Sequence, residues 1–482
     1  MDVLRGLEPR KMFEIFERIC AIPHGSGNMT GIADFVERFA EEHRLEHYRD
    51  SANNIVIISG ATPGRTLEPA IILQGHMDMV CAADENVDFD FKTQALRLKI
   101  EDGKIGAEGT SLGADDGIAV AMMLALLEDK ELSHPRLECV FTTDEEIGLI
   151  GANALDVSHI QGRRLINLDS EDEGEITTGC AGGICMSAEF AAETETLSGR
   201  TYRLTVQGLI GGHSGTEIIA QRANANKVLA RVLTALQYSA DFRISCAEGG
   251  FFDNAIPRKA EAIFLSDSDP DSIAAAAERI AAEIKHEYSA ADPGMSISLA
   301  PAGVSECAVL LSECQERMLF ALYEVPDGII RMCDELDDMV ETSLNLGILR
   351  LDENGMKLTF MLRSAVNSAA AELRMRLETL FGFAGGKTTV HSSYGAWEFR
   401  QDSPLRDHCV KVYEDMYGSR PLVGTIHAGL EAAVIAAKLG DADCVSIGPT
   451  LRDVHTSYER LDADSAARVY DYVKALIERE MK

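Results

Sequence analysis

Two side chains that could hold a cation interrupt an apolar run. Residues 72–80 read ILQGHMDMV, with His76 and Asp78 two positions apart. Alternation along an extended chain puts i and i+2 on one face, so the imidazole and the carboxylate point the same way. Other polar residues occupy comparable places. Asp115 and Asp116 lie in the glycine-flanked stretch SLGADDGIA, Asp144, Glu145 and Glu146 follow LECVFTT, Asp169 closes RRLINLD, and His455 lies just beyond VSIGPTLRDV. Singly, each has a plainer reading: an Asp as a helix cap or turn residue, a DEE run as a solvated charge cluster. Together, two imidazoles and three or more carboxylates at the ends of separate core strands describe a convergent set. Carboxylates buried without compensation are costly, and metal cations would neutralise them. Mixed His and carboxylate donors suit Zn²⁺, Mn²⁺ or Co²⁺ rather than Ca²⁺ or Mg²⁺ alone.

The elements that must position these residues alternate between helix and strand. Lys11–Cys20 and Asn28–Leu45 have helical apolar spacing, and NIVIIS and AIILQGHMD read as strands. Gly117–Asp129 is an apolar helix, and LECVFTT and RRLINLD are strands again. Continuous apolar strands alternating with helices predict an α/β layer around a largely buried, mixed or parallel sheet. In such sheets ligands gather beyond the carboxyl ends of the strands, where the polar interruptions fall. From about Met186 the strands alternate more clearly, as in TYRLTVQGL. The order there is strand, helix (Glu217–Tyr238), FRISCAEGG, KAEAIFLS, helix (Asp271–His286) and GMSISLAPA, close to a ferredoxin-like β-α-β-β-α-β unit. A second set follows: a helix over Cys307–Tyr323, a hairpin TSLNLGILRLDENGMKLTFMLR turning at Asn354-Gly355, a helix over Ala369–Phe381, and KTTVHSSY. After about Trp397 the α/β character returns. The expected architecture is a split α/β/α core domain, 1–185 plus 399–482, with an inserted α+β domain, 186–398, built from duplicated ferredoxin-like units.

At 482 residues the chain is too long for one core. Lys plus Arg number 45 against 78 Asp plus Glu, a net charge of −33 that argues against nucleic acid and anionic membrane as partners. The plain reading of the excess acid is a solvated surface. The eleven cysteines are scattered and form no C-x-x-C pair, which predicts reduced thiols in a cytoplasmic protein. The N-terminal stretch MDVLRGLEPRKMF has no apolar signal-peptide core, and no run is long enough to span a membrane.

The segments HMDMV, GADDG, DEEIG, NLDSE and IGPT followed by His455, in this order, resemble the co-catalytic two-zinc peptidases related to carboxypeptidase G2 and the aminoacylases. Within that family the likeness is to the carnosinase-like branch of aminoacyl-histidine (Xaa-His) dipeptidases. It runs from ICAIPHGSGN to the last helix and includes GGHSG, NAIPR, IHAGLE and SIGPT. The resemblance implies that His76 and Asp169 bind one metal, Glu146 and His455 the second, and that Asp115 bridges them. It implies zinc, with manganese or cobalt as alternatives. Asp78 would orient His76, and Glu145 would be the general base toward a metal-bridging water. His213 would polarise the scissile carbonyl, within its own chain or across a dimer, with monomer and homodimer both open. Asn254 and Arg363 would hold substrate oxygens, and His427 and Glu431 would contact the substrate amine or shape the pocket. The implied activity is hydrolysis of short peptides, most of all dipeptides of Xaa-His or broader type.

The chain departs from the family pattern at Tyr394-Gly395-Ala396-Trp397, where Y-P-G-W is usual, and at His455-Thr456-Ser457, where H-S-P is usual. Both departures bear on pocket detail and substrate preference. Alternatives open at this level are an amidohydrolase, deacylase or tripeptidase of the same family, a mononuclear zinc hydrolase, and a catalytically silent metal-binding scaffold.

Overall fold

Ile71–His76 is a fully buried strand, and its apolar residues are what a strand covered on both faces requires. It lies inside an eight-stranded sheet of order Glu46–Arg49, Ile55–Ser59, Leu137–Thr142, Ile71–His76, Arg164–Asn167, Asp443–Ser446, Glu175–Cys180 and Leu422–Ile426. The computed structural model describes residues 3–334, 339–440 and 442–481. Four central strands are parallel: Ile71–His76 pairs with Leu137–Thr142 and with Arg164–Asn167, which pairs with Asp443–Ser446. Their carboxyl ends therefore open at one edge. Strands at the flanks are antiparallel, so the sheet is mixed.

The helix Ala114–Glu128 carries no charged residue from Gly117 to Leu127 and is buried nearly all round, as an apolar helix must be. Gly117 packs against Phe16 and Ile19 of the Arg10–Cys20 helix. Pro404–Tyr417 and Ala463–Glu478 start on Ser403 and Asp462, whose side chains accept from Arg406 N and Ser465 N as N-caps. Together with the sheet these helices enclose one core, which includes Phe13, Phe16, Leu73, Phe141, Val445 and Val473.

The chain divides into two compact units: Met1–Cys180, Phe399–Thr425 and Leu430–Lys482 form the first, and Ala181–Glu398 with Ile426–Gly429 the second. The second unit is built on one antiparallel sheet of order Ser296–Leu310, Thr194–Gln207, Ala260–Leu265, Arg243–Gly249, Val340–Asp352, Gly355–Ser364, Gly182–Ala191 and Lys387–Tyr394. Gly328–Met332 pairs beside Val340–Asp352. Numbered along the chain, the first four strands read 4-1-3-2, and the last four read 2-3-1-4, the same order reversed. Each quartet is a ferredoxin-like unit. They are nested, because Gly182–Ala191 opens one quartet and the other is inserted before its remaining strands. The quartets join through Arg243–Gly249 and Val340–Asp352.

Several boundaries differ from the sequence reading. The Ile71–His76 strand stops at His76, so Asp78 lies in the following segment. The segment read as a helix over 217–238 is a 3-10 turn at Ile218–Ala220, a break at Gln221 with φ 49°, and a helix Ala225–Leu236 capped by Asn224. Residues 307–310 extend the Ser296–Leu310 strand, and the helix starts at Ser312. The hairpin turn is Glu353-Asn354, because Asp352 pairs with Gly355 and its carboxylate accepts from Asn354 N. Among the described residues no helix is long and apolar enough to cross a membrane. All eleven cysteines are free.

Candidate active site

At the open edge of the parallel strands His76 closes its strand, Glu145 and Glu146 follow Thr142, Asp169 follows Asn167, and His455 lies on the loop beyond Ser446. Asp115 comes from the first turn of Ala114–Glu128, where φ −83° and ψ 101° take it out of helical geometry. His76 Nε2 lies 3.1 Å from Asp115 Oδ1 and 3.5 Å from Asp169 Oδ1. His455 Nε2 lies 3.1 Å from Asp115 Oδ2 and 3.0 Å from Glu146 Oε2. One carboxylate thus offers a separate oxygen to each imidazole. Three overlapping groups have donor atoms within 4.8 Å of one another: His76 with Asp116 and Asp169, His76 with Glu145 and Glu146, and Asp115 with Glu146 and His455.

His76 Nδ1 donates to the main-chain oxygen of Asp78 at 3.0 Å, which leaves the Nε2 lone pair for a ligand. The Asp78 carboxylate stands farther from that nitrogen, at 3.4 Å. It accepts instead from Glu145 N at 2.9 Å, Glu146 N at 3.3 Å and Ser26 Oγ at 2.8 Å. Asp78 therefore fixes the Glu145-Glu146 turn as well as His76, a role that its spacing from His76 did not suggest. Asp116 Oδ2 accepts from His76 N at 3.2 Å. Two further residues escaped the sequence reading, Ser26 and Glu459, because each acts across a long sequence separation and neither sits in an apolar run.

Burial and crowding set the charges. Burial disfavours a charged His76 ring, yet Asp169, Asp115 and Asp78 around it drive its pKa well above the ordinary value. Hydrogen bonds to Asp115 and Glu146 push His455 up to about 11. Burial would raise Asp115, but His455 and His76 hold it far below the usual carboxylate range. Asp169 is raised to about 6, first by burial and then by Asp115 and Glu146, with His76 opposing. Glu145 is pushed well above the usual value by burial, with Asp169, Glu431 and Glu146 adding to it. A cluster that holds protons this tightly is short of positive charge. Glu146 Oε1 is also buried without a hydrogen-bond partner. Two imidazoles, three carboxylates and an unpartnered carboxylate oxygen are a donor set that fits divalent cations.

The second unit holds a cluster of its own. Arg363 is 4% exposed, its Nη1 donates to Tyr394 Oη at 3.1 Å, and its Nη2 lies 3.4 Å from His213 Nε2. Arg363 Nε has no partner, and among the described residues no carboxylate pairs with this guanidinium. His213 Nδ1 faces Thr216, whose N lies 3.2 Å and whose Oγ1 lies 3.1 Å from it. His427 Nε2 lies 2.7 Å from Ser343 Oγ, and burial, then Arg363, lowers its pKa to about 3. A Cβ on Gly215 would come within 2.4 Å of the His427 carbonyl and 3.0 Å of Arg363 Nε, so only glycine fits among these groups. Asn254 is exposed, and its main-chain carbonyl accepts from Ser214 N at 2.8 Å. The motif IHAGLE is divided: His427 belongs to this unit and Glu431 to the first. Glu431 is fully buried, accepts from Gln74 Nε2 at 2.6 Å and from Thr142 Oγ1, and its pKa is raised to about 8 by burial.

The model of the peptidase family M20/M25/M40 matches residues 72–479. The cytosol non-specific dipeptidase of Escherichia coli is 33% identical over 480 residues, 99% of each chain. The crystal structure of aminoacylhistidine dipeptidase from Vibrio alginolyticus superposes with a TM-score of 0.91 at 33% identity, covering 99% of this chain and 98% of that one. An aminopeptidase from Bacillus cereus, at 16% identity and a TM-score of 0.56 over 98% of both chains, shares the fold.

Proposed function

The chain belongs to the peptidase family M20/M25/M40 and is an enzyme of that family; from this premise we propose that it is a two-metal dipeptidase acting on Xaa-His or a broader set of dipeptides. The observation that carries the reading is Asp115, with one oxygen toward His76 and the other toward His455. His76 and Asp169 would hold one divalent ion, Glu146 and His455 the other, and Asp115 would be shared. Zinc is the first choice for these donors, with manganese and cobalt as alternatives. Bound ions would supply a charge that acidifies water and polarises the peptide carbonyl. Glu145 would take the proton of the attacking water and return it to the leaving amine. Asp78 would hold Glu145 in place through the amide it already accepts.

Recognition would use the second unit. A dipeptide brings a free carboxylate, and Arg363 is a buried cation lacking one. His213 would donate a hydrogen bond to the scissile carbonyl oxygen as negative charge develops there. Asn254 would hold a further substrate oxygen. His427, kept neutral, would shape the pocket without competing for the carboxylate. Glu431 would shape the pocket floor rather than meet the substrate amine, since its hydrogen bonds run to Gln74 and Thr142. The names of the two full-length relatives support dipeptides as substrates, and that of the E. coli relative supports a cytoplasmic location. The test is a substrate panel on protein whose metal content is measured alongside. Xaa-His and other dipeptides should turn over, tripeptides and N-acyl amino acids should lag, and chelation should abolish activity. Faster turnover of acyl amino acids, or full activity with one ion per chain, would overturn the reading.

A further inference from the structure

Glu459 has no place in the chemistry above, yet it is 2% exposed and its carboxylate is fully engaged. Oε2 accepts from Leu112 N at 2.7 Å and Gly113 N at 3.0 Å, while Oε1 accepts from Ala114 N at 2.8 Å and Asp115 N at 3.3 Å. These amides open the Ala114–Glu128 helix, where main-chain N–H groups lack helical partners and the helix dipole favours an anion. Glu459 also closes the turn that carries His455. Its own N–H donates to Thr456 O at 3.3 Å, and Thr456 Oγ1 donates to Asp453 O at 2.6 Å. Asp453 and His455 sit at positive φ, 54° and 63°, a conformation that needs support from its surroundings. One side chain therefore ties together the two segments that present Asp115 and His455.

The two halves of the centre depend on this tie unequally. His76 and Asp169 stand at the ends of adjacent parallel strands, and the sheet register fixes them. Glu146 and His455 both stand on loops. We propose that Glu459 is a positioning residue for the half formed by Asp115, Glu146 and His455, setting the spacing that lets a cation bind there. The inference rests on the two-metal reading. A plain helix cap would support the fold but would not single out one ion.

Glu459→Gln separates the two roles. The amide nitrogen would face main-chain donors, so the cluster loses acceptors while its volume is kept. Metal-free full-length wild-type protein and variant would be titrated with Co²⁺, followed by visible absorption and calorimetry. Wild type is expected to show two steps. The variant is expected to keep one step and to weaken the other by about 10–100-fold, the usual effect of losing a residue that orients a ligand. Glu459→Asp retains the charge on a shorter arm and should weaken the same step by less. It serves as the test if circular dichroism shows the Gln variant unfolded. Two unchanged steps, or two steps weakened by the same factor, would overturn the inference. A wild-type protein that takes up fewer than two ions would overturn the two-metal reading and this inference with it.

Discussion

Asp115 offers an oxygen to each of two imidazoles, but the residue that separates chemistry from binding is Glu145. Its main chain is held by Asp78, so the isosteric Glu145→Gln change should leave the ligand atoms in place. Turnover should fall by about 10²–10⁴-fold, the range for loss of a general acid–base group, with the metal content unchanged. Wild-type turnover in that variant would remove Glu145 from the mechanism. His427 makes a second prediction, in pH. Burial first, and Arg363 next, lower its pKa from the ordinary 6.5 to about 3. The unfolded chain therefore binds more protons than the folded one between those values. The stability from the neutral ring is complete above 6.5 and is lost progressively as pH falls toward 3. His427→Gln should flatten the pH dependence of the urea midpoint across that window. An unchanged slope would show that other groups carry it. At this scale the sequence was informative where residues interrupt apolar strands, as at His76 and Asp169. It was silent on Ser26 and Glu459, whose partners lie far away along the chain.

Parallel strands turn a linear pattern into a site, because their carboxyl ends share one edge and the polar residues just past them converge. This much was legible, since apolar runs of strand length with polar residues after them are local signals. Exact ends were less so. The segment 217–238 has helical periodicity throughout, but Gln221 adopts φ 49° and Asn224 caps a new helix. Residues 307–310 follow a helical apolar spacing yet pair with Thr194–Leu197 of the neighbouring strand, so tertiary pairing overrode local preference. Element packing also gives a test of how tightly the site's supports fit. A Cβ on Gly448 would lie 1.7 Å from the carbonyl oxygen of Ser170, the neighbour of Asp169. Ser170 Oγ is also paired with Ser446 Oγ at 2.8 Å, so the two strand ends have little room to part. Gly448→Ala should cost about 1–3 kcal/mol or more, as overpacking does, and should weaken metal uptake. Gly60→Ala, with open space around its Cβ, should stay within about 0.5 kcal/mol. Equal denaturation midpoints for the two variants would refute the packing argument.

At the scale of the whole chain, the nesting of the two ferredoxin-like quartets was the least legible feature. Gly182–Ala191 pairs with Gly355–Ser364 across the entire inserted quartet. Local periodicity carries no record of such a partner, so the two units read as consecutive rather than nested. The division into two units nevertheless has a measurable consequence. All five proposed ligands lie in the first unit, so cations that bind the folded state should stabilise that unit directly. Binding contributes about 2.7 kcal/mol per site when free ion is at 100 times its dissociation constant. The proposed ligands sit on strand ends and loops, which open more readily than a sheet centre once their cations leave. Chelation should therefore speed amide hydrogen exchange in segments 112–118, 142–147, 167–170 and 447–459. The second-unit sheet, held by a core of its own that includes Phe264, Phe360 and Phe381, should exchange as before. Uniform acceleration through both units would mean that the cations support the chain as one cooperative body. No acceleration at those segments would mean that the cluster around Asp115 is not where the cations bind.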